Sequence, residues 1–192
     1  MGASANKEKN NTDKLIKGNE YIDKKNFNND NNSNKKKENL YINESEGIFQ
    51  NGMLKYHNKY RNMHGANNLN LTDELSEKAT NYAKKFLESN SNLELNNFYK
   101  NQILGENILF SAKKKTEEEI CNSWYDENNN YNYTKNTFQK DTNHFTQIIW
   151  KSTTEVGFGH YNIGEKYCYV ALYYPQGNIL GKFTENVSKA KQ

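Results

Sequence analysis

The sequence predicts an α+β protein, a three-layer α-β-α sandwich in which helices cover both faces of a small antiparallel sheet. Two observations predict this class. Apolar residues recur at helical spacing in several segments of the first 150 residues. Two segments rich in aromatic and β-branched residues, 155–161 and 167–174, then flank a turn that contains Gly164, which is typical of an antiparallel hairpin.

Composition divides the chain into an N-terminal tail, residues 1–45, and one domain, residues 46–192. The tail is rich in Asn and Lys and shows no apolar period. Of 14 Tyr, 9 Phe and 2 Trp residues, it holds only Tyr21, Phe27 and Tyr41. A segment with so little apolar surface cannot offset the entropy lost on ordering, which predicts a disordered tail. The domain is long enough to bury on the order of two thirds of its unfolded surface.

Charge and cysteine content argue against several functional classes. The formal net charge is only +3 with 26% charged residues, so composition gives no argument for a nucleic-acid partner. No apolar run approaches the roughly 18 residues of a membrane span, and the N-terminus lacks the apolar core of a secretory signal. The two cysteines, Cys121 and Cys168, are too few for a disulfide framework, and we expect both to be buried free thiols in a reducing compartment.

Helices are predicted at three places in the first part of the domain. The first runs from about residue 47 to residue 64 and ends with Gly65 as its C′ residue. The second begins after Thr72 and has two acidic residues in its first turn. The third opens with the capping box of Thr116 and Glu119. Their apolar faces are formed by residues at helical spacing: Ile48, Phe49, Met53, Leu54, His57 and Tyr60; Leu75, Ala79, Tyr82, Ala83, Phe86 and Leu87; and Ile120, Cys121, Trp124 and Tyr125.

The elements around the hairpin are shorter. They are predicted as a strand over 103–110, a polar loop over 128–140, a helix over 141–150 and a short edge strand over 179–183. In the short helix, Asp141 or Thr142 is expected to accept hydrogen bonds from the first backbone amides, and His144 stands in the first turn. Pro175 is expected to end the second strand of the hairpin.

Six motifs occur in one order along the domain: HNKYR at 57–61, HG at 64–65, GENIL at 105–109, NSWYDE at 122–127, HFTQIIW at 144–150 and YYPQGNI at 173–179. Together they resemble the CAP superfamily, which groups cysteine-rich secretory proteins, insect antigen 5 and plant pathogenesis-related proteins. The resemblance covers residues 46–187 and implies the CAP/SCP type of sandwich. Ala171 stands where secreted members carry a cysteine, so the chain is most similar to the intracellular, Golgi-associated branch. His57 and Arg61 match the opening motif and are expected to be buried structural residues.

The resemblance implies a cleft lined by two His and two Glu residues. By motif, Glu106, Glu127 and His144 occupy three of these positions and are the candidate cleft residues. The fourth, a His, is expected near Leu95 or Asn96, where the sequence has none. Because the family holds its metal chiefly with two His residues, zinc is disfavoured here and no cofactor is predicted. His144 is the residue that would contribute to any metal site.

The first residues, MGASANKEKN, are close to an N-myristoylation signal. Gly2 is followed by small residues and then by lysines, although Asn6 stands where the pattern asks for Ser or Thr. The intracellular branch that the chain resembles is myristoylated at this terminus, which favours lipidation of Gly2. The alternative is an accidental Gly in a disordered terminus.

The residues and the resemblance favour a non-catalytic lipid-binding or peripheral membrane module. Its expected partner is a lipid or a membrane surface, contacted by the loop aromatics Tyr131, Tyr133 and Phe138, because the corresponding region of the family is linked to lipid contact. A protein partner or a homodimer is the alternative. The expected location is the cytoplasmic face of membranes, or otherwise the soluble cytoplasm or the exterior by an unconventional route.

A metal-assisted hydrolase or protease is the alternative function. In it, Glu127 or Glu106 acts as the base and His144 as the acid. No nucleophile stands in a recognisable motif, since Ser111 and Ser123 have none around them. A secreted CAP effector is a further alternative. Enzyme activity therefore stays open, with the residues favouring its absence.

Overall fold

The computed structural model of this chain describes residues 24–88 and 98–191. The chain forms two compact units, Met1–Ile42 and Asn43–Gln192. Helix α1, Lys24–Met63, begins in the first unit and ends in the second. The helix predicted from residue 47 therefore begins earlier than expected, and the boundary predicted between residues 45 and 46 lies inside a helix.

The described backbone is helical from Lys24 onward, and the disorder expected of the segment that precedes the domain stays a prediction. The expectation rested on the missing apolar period, which decides whether a segment packs rather than whether it is helical. Once a helix is anchored, each further residue adds one hydrogen bond for one residue ordered, a better balance than that of nucleation. The segment favours helix only weakly by composition, because its many Asn residues have lower helix propensity than its Lys and Glu residues. The part of the tail before Lys24, including Gly2, lies outside the described residues.

Within the second unit, α1 packs one face against the core and then stops at a glycine. The buried face recurs at helical spacing: Phe49, Met53, His57, Tyr60 and Arg61. Gly65 has a φ of +67°. The amide of Ala66 donates to the carbonyl of Arg61 at 2.9 Å, and the amide of Gly65 donates to the carbonyl of Asn62 at 3.2 Å. This Schellman geometry confirms the predicted C′ role of Gly65.

The remaining elements follow in chain order. Helices α2 to α5 are Asp73–Glu88, Glu117–Tyr125, Asn143–Ile149 and Phe183–Asn186, and a 3-10 helix, Asp126–Asn130, follows α3. Strands β1 to β6 are Asn70–Leu71, Phe98–Tyr99, Gln102–Ile103, Gly105–Ser111, Glu155–Ile163 and Lys166–Tyr174. The predicted capping box of α3 is confirmed, because Thr116 and Glu119 each accept a hydrogen bond from the other's backbone amide.

The main sheet has four strands in the order β1-β5-β6-β4. The β5–β6 hairpin and the β4–β6 pair are antiparallel, as predicted, and Gly164 in the hairpin turn has a φ of +58°. β1 pairs in parallel with the start of β5, so the sheet is mixed rather than purely antiparallel. The difference arises because the connection from α1 to α2 lies alongside β5 for two residues and runs in the same direction.

The strand predicted over 103–110 is divided in the structure. Lys100 and Asn101 both have positive φ and form the turn that pairs β2 with β3 in a separate two-stranded sheet. The strand that joins the main sheet then begins at Gly105. The apolar pattern of the segment did not reveal this division, because both strands carry apolar residues.

The edge strand predicted over 179–183 is wrong. The amide of Lys182 donates to the carbonyl of Ile179 at 3.0 Å, and Gly181 has a φ of +77°, so the chain turns where an extended strand was expected. Helix α5 then begins at Phe183, whose ring packs against Trp150 with 5.1 Å between centroids.

The sheet separates two apolar clusters and thereby forms the predicted three-layer sandwich. Helix α2 covers one face, and α1, α3 and α4 cover the other. Helix α2 lies very close to β5 because Gly157 and Gly159 have no side chains there. A Cβ at these positions would stand 2.2 Å and 2.1 Å from backbone atoms of α2, which is too close for any other residue without a shift of the helix.

Both cysteines are buried and free, as expected. Cys121 lies on α3 and Cys168 on β6. Burial raises the pKa of both thiols, to about 12 for Cys168, so neither is a ready nucleophile at neutral pH. Within the part of the chain that the structure describes, no helix has the length and apolarity to cross a membrane.

Candidate functional site

Helix α4 begins beside the 3-10 helix, and the carboxylate of Glu127 caps its N-terminus. Oε2 of Glu127 accepts hydrogen bonds from the backbone amides of His144 at 2.9 Å and Phe145 at 3.1 Å. Oε1 accepts a hydrogen bond from Nδ1 of His144 at 2.6 Å. The two amides belong to the first turn of α4, where the helix itself provides no acceptor. One carboxylate therefore binds the start of the helix and orients the imidazole.

This arrangement corrects the predicted cap of α4. Thr142 occupies the N-cap position, but its hydroxyl donates to the carbonyl of Gln139 at 2.8 Å. Asp141 is exposed and has a left-handed φ of +57°. The prediction chose the nearest acceptors in sequence, whereas Glu127 reaches the helix from 17 residues upstream. A carboxylate is also the better acceptor there, because the helix dipole favours a negative charge at this end.

The pair of Glu127 and His144 is shielded but still reachable by solvent, with side chains that are 18% and 29% exposed. Burial alone raises the pKa of Glu127. The hydrogen bonds from the imidazole of His144 and from the amides of Phe145 and His144 outweigh that effect, and the pKa lies below its ordinary value. Glu127 is therefore ionised at neutral pH, and both of its oxygens are already bonded to α4.

Buried groups behind His144 fix its position from the other side. The ring of Trp124 stacks on the imidazole with 6.3 Å between centroids and 21° between planes. Nδ2 of Asn107 donates to the carbonyl of His144 at 3.1 Å and to the hydroxyl of Tyr173 at 3.1 Å. That hydroxyl lies 2.8 Å from Nε2 of His57. Sequence reasoning missed Asn107, although its place in the GENIL motif was a signal that could have found it.

Glu106, the third candidate, lies on the opposite face of the sheet from His144. Alternation along β4 places Asn107 toward α4 and Glu106 toward α2. Burial, together with the charge of Glu106, raises the pKa of Tyr82 on α2 to about 12. Glu106 is itself exposed, but its carboxyl group is partly desolvated by the neighbouring protein, and this desolvation raises its pKa. Among the hydrogen bonds and ion pairs between described residues, none joins Glu106 to Glu127 or His144.

These positions do not fit a zinc site. Zinc in proteins takes three or more His, Cys or carboxylate ligands. The described part of the chain contains no group of three such side chains that could hold a metal ion. Nδ1 of His144 is engaged by Glu127, which leaves Nε2 as its free ligand atom. The loop around Leu95 and Asn96, where the resemblance placed the second His, lies outside the described residues and has no His in its sequence.

Two of the three candidate lipid-contact aromatics belong to the core. Tyr131 is only 8% exposed and packs on the ring of Phe145 at 5.7 Å. Tyr133 is half-buried and lies 6.5 Å from the same ring. Phe145 projects from α4 and holds both tyrosines inward. Phe138 is 50% exposed and is the member of the three that is open to contact from outside the protein.

The structure places His57 and Arg61 in the core, as the opening motif predicted. Burial is the main cause that lowers the pKa of His57 to about 3; the hydrogen bond to the Met53 carbonyl opposes this shift, and the charge of Arg61 adds to it. Burial also lowers the pKa of Arg61 to about 10, so its guanidinium remains charged at neutral pH. Both side chains serve the packing around α4 rather than the cleft.

The profile of CAP, the cysteine-rich secretory protein family, matches residues 54–174 of this chain. The chain belongs to the CAP family. A similar CAP protein is the Golgi-associated plant pathogenesis-related protein 1 of Homo sapiens, which is 35% identical over 147 residues covering 75% of this chain and 95% of the human protein.

Solved CAP structures confirm the fold. Venom allergen-like protein 4 of Schistosoma mansoni matches with a TM-score of 0.58 at 24% identity, over 75% of this chain and 96% of that one. NaASP2 with Zn2+ matches with a TM-score of 0.58 at 21% identity, over 75% of this chain and 86% of that one. The zinc named for NaASP2 belongs to that protein.

Zinc is expected to bind this CAP domain weakly or not at all at neutral pH. The reason is that Glu127 and His144 provide too few ligand atoms and already bind each other. Isothermal titration calorimetry with zinc measures the affinity, and Asn96→His is expected to strengthen it by restoring a second imidazole. His160→Ala, outside the cleft, is the control. A submicromolar zinc site that disappears in His144→Ala would contradict the prediction.

Proposed function

We propose that this chain is a non-catalytic CAP-domain protein that attaches to the cytoplasmic face of membranes through a myristoyl group on Gly2. The observation that carries the non-catalytic part is that both Glu127 oxygens are engaged by α4, Oε2 by two backbone amides and Oε1 by the imidazole of His144. A general base must be free to accept a proton from a reacting group. Glu127 would have to release α4 to do so, and the pair with His144 is better suited to joining two helices.

The surroundings of His144 support the same proposal. A serine or cysteine hydrolase needs a hydroxyl or thiol hydrogen-bonded to the base. Between described residues, the imidazole of His144 forms a hydrogen bond with Glu127 and with no serine or cysteine. The thiols are buried, and Glu106, which would supply the second carboxylate, faces α2. Among the described residues, the nucleophile, base and second carboxylate that the hydrolase alternative requires therefore do not lie together.

Two observations support membrane attachment. The N-terminal residues MGASANKEKN are close to a myristoylation signal, and the human relative is named as Golgi-associated. One myristoyl chain gives a membrane binding constant of only roughly 10⁴ M⁻¹, so stable attachment needs a second contact. The consecutive lysines Lys35, Lys36 and Lys37 or a surface of the CAP domain would provide it.

Gly2→Ala is expected to release most of the membrane-bound protein, because alanine at this position cannot be myristoylated. Flotation of cell lysates measures the bound fraction, and intact mass of the purified protein reports the acyl group. Gly47→Ala is the matched control, since a Cβ at Gly47 meets no atom within 4 Å. Equal flotation of the wild type and Gly2→Ala would contradict the anchor.

The non-catalytic part has a separate test. The wild type is incubated with generic ester and peptide substrates, and no turnover above background is expected. Turnover that disappears in Glu106→Ala or His144→Ala but persists in Glu165→Ala, a variant of an exposed hairpin residue, would overturn it.

A further inference from the structure

Strand β4 is the outermost strand on one side of the main sheet, and among the described residues it pairs with β6 alone. In an antiparallel pair, alternate residues direct their N–H and C=O groups to the partner strand, and the residues between them direct theirs away. About half of the main-chain polar groups of β4 therefore point out of the sheet. They form a row of donors and acceptors to which a further strand can bind.

The two edges of the sheet differ in how they are protected against such pairing. On the far edge, β1 covers the start of β5, and the amide of Phe158 then donates to the hydroxyl of Ser76 on α2 at 3.3 Å. A short edge strand and a covering helix both prevent pairing with another chain, as do lysines, prolines and bulges. The sequence of β4, GENILFS, has no lysine and no proline, and its pairing with β6 continues for seven residues without a bulge. The edge formed by β4 is therefore open to another strand.

Apolar side chains accompany this open edge. Alternation along β4 places Glu106, Ile108 and Phe110 on the face toward α2. Phe110 is 56% exposed and Ile108 is half-buried. The ring of Phe86 on α2 lies 5.9 Å from the ring of Phe110, with 88° between their planes. An apolar surface therefore extends from α2 to the outer strand of the sheet, and a strand bound to β4 would cover its margin.

The sequence of β4 is complementary to itself when two copies run antiparallel. In a pairing centred on Leu109, Ile108 of each copy lies opposite Phe110 of the other. Pairs of an aromatic and a β-branched residue are among the favourable cross-strand contacts. The same arrangement brings Glu106, the single charged residue of β4, to the end of the other strand, where the exposed Lys113 and Lys114 follow. Apolar and charged groups are therefore both matched.

We propose that β4 is a dimerisation edge, at which two copies of this chain pair their β4 strands antiparallel about a two-fold axis. The pairing joins two four-stranded sheets into one continuous sheet of eight strands. Because the two-fold axis uses both open edges, the protected edges at β1 are left outermost and association stops at the dimer. This inference goes beyond the proposed function and does not depend on membrane attachment.

The size of the edge predicts a reversible dimer. A seven-residue strand is about 24 Å long. Pairing centred on Leu109 adds about four to six main-chain hydrogen bonds and two contacts between Ile108 and Phe110. Such a contact is smaller than the extended apolar interfaces of obligate dimers and belongs with the transient ones. Monomer and dimer are therefore expected to exchange with protein concentration.

Sedimentation velocity of the full-length chain, produced without acylation and kept in reductant, measures this equilibrium. The wild type is expected to shift from monomer to dimer as its concentration rises. Phe110→Lys is expected to weaken the dimer about tenfold, because it removes an apolar contact and places a charge at the edge. Ile163→Lys is the matched control, since Ile163 is 45% exposed and lies on β5, two strands from that edge. A wild type that stays monomeric at every concentration, or equal weakening by both substitutions, overturns the proposal.

A charge exchange tests the antiparallel arrangement. Glu106→Lys and Lys113→Glu are each expected to weaken the dimer about fivefold, because each places like charges together at both ends of the pairing. The double variant restores opposite charges and is expected to recover most of the loss. Glu165→Lys with Lys166→Glu, in the hairpin turn, is the control and is expected to change nothing. A double variant as weak as the single ones overturns the proposal. No membrane or acyl group takes part in these measurements, so failure of the dimer and failure of the Gly2 anchor are distinguishable.

Discussion

Replacing Arg61 with leucine is expected to lower the free energy of unfolding by about 4 kcal/mol. The guanidinium donates to four backbone carbonyls: those of Asn67, Ile148, Trp150 and Thr153, at 2.7, 2.9, 2.8 and 2.9 Å. Leucine fills part of the volume but leaves these carbonyls without a donor. Each lost hydrogen bond costs about 1 kcal/mol, and an unsatisfied buried carbonyl costs more. The loss is a large fraction of the total stability of a domain of this size.

The geometry of the site explains why an arginine stands there. Arg61 is the sole arginine among 26 basic residues, all others being lysines. A planar guanidinium directs its donors along several fixed directions, whereas a lysine ammonium places three donors at one point. Three of the four carbonyls lie at or just after the end of α4, where the helix leaves its last carbonyls unpaired and favours a positive charge. Arg61 therefore connects α1 to the end of the helix that carries His144.

Urea unfolding followed by circular dichroism measures the effect of Arg61→Leu. Arg61→Lys is expected to lose about 2 kcal/mol, since an ammonium satisfies only part of the four carbonyls. Lys59→Leu, a neighbouring exposed basic residue on α1, is the control and is expected to change stability by less than about 0.5 kcal/mol. If Arg61→Lys unfolds at the same urea concentration as the wild type, the planar arrangement of the guanidinium donors is not what stabilises the connection between α1 and the end of α4.

The helices and the hairpin could be predicted because their signals are local. The Schellman end at Gly65 and the capping box of Thr116 and Glu119 each depend on residues within one turn, and the structure shows both. The features that the sequence did not predict depend on contacts between residues that are far apart in the sequence. The cap of α4 comes from Glu127 across a loop, and the pairing of β1 with β5 depends on where a connecting segment lies on the sheet.

The candidate site was predicted in part for the same reason. Motif order identified Glu127 and His144, and the structure brings them together. Motif order could not show that Glu106 faces α2, because the direction of that side chain follows from the register of β4 in the sheet. The resemblance to the family indicated Tyr131 and Tyr133 as lipid contacts, but only the packing on Phe145 shows that both point inward.

Glu127→Ala is expected to lower the free energy of unfolding by about 3 kcal/mol at neutral pH. It removes a charged acceptor from two backbone amides of α4, and hydrogen bonds to charged groups and helix caps each contribute about 1–3 kcal/mol. It also leaves the Nδ1 of His144 without its partner. Glu127→Gln keeps the size of the side chain but not its charge and is expected to lose about half as much.

The pH dependence of stability identifies the ionised carboxylate of Glu127 as the stabilising species. Its folded-state pKa lies below the unfolded value of about 4.3, so its contribution is complete above that value and is lost as the pH falls through the folded pKa. The difference in unfolding free energy between the wild type and Glu127→Gln is therefore expected to be largest near neutral pH and to shrink in acid. Urea unfolding over this pH range measures it, with Glu165→Gln in the exposed hairpin turn as the control that shows no such change. A difference that is the same at every pH would mean that Glu127 holds α4 by its shape and not by its charge.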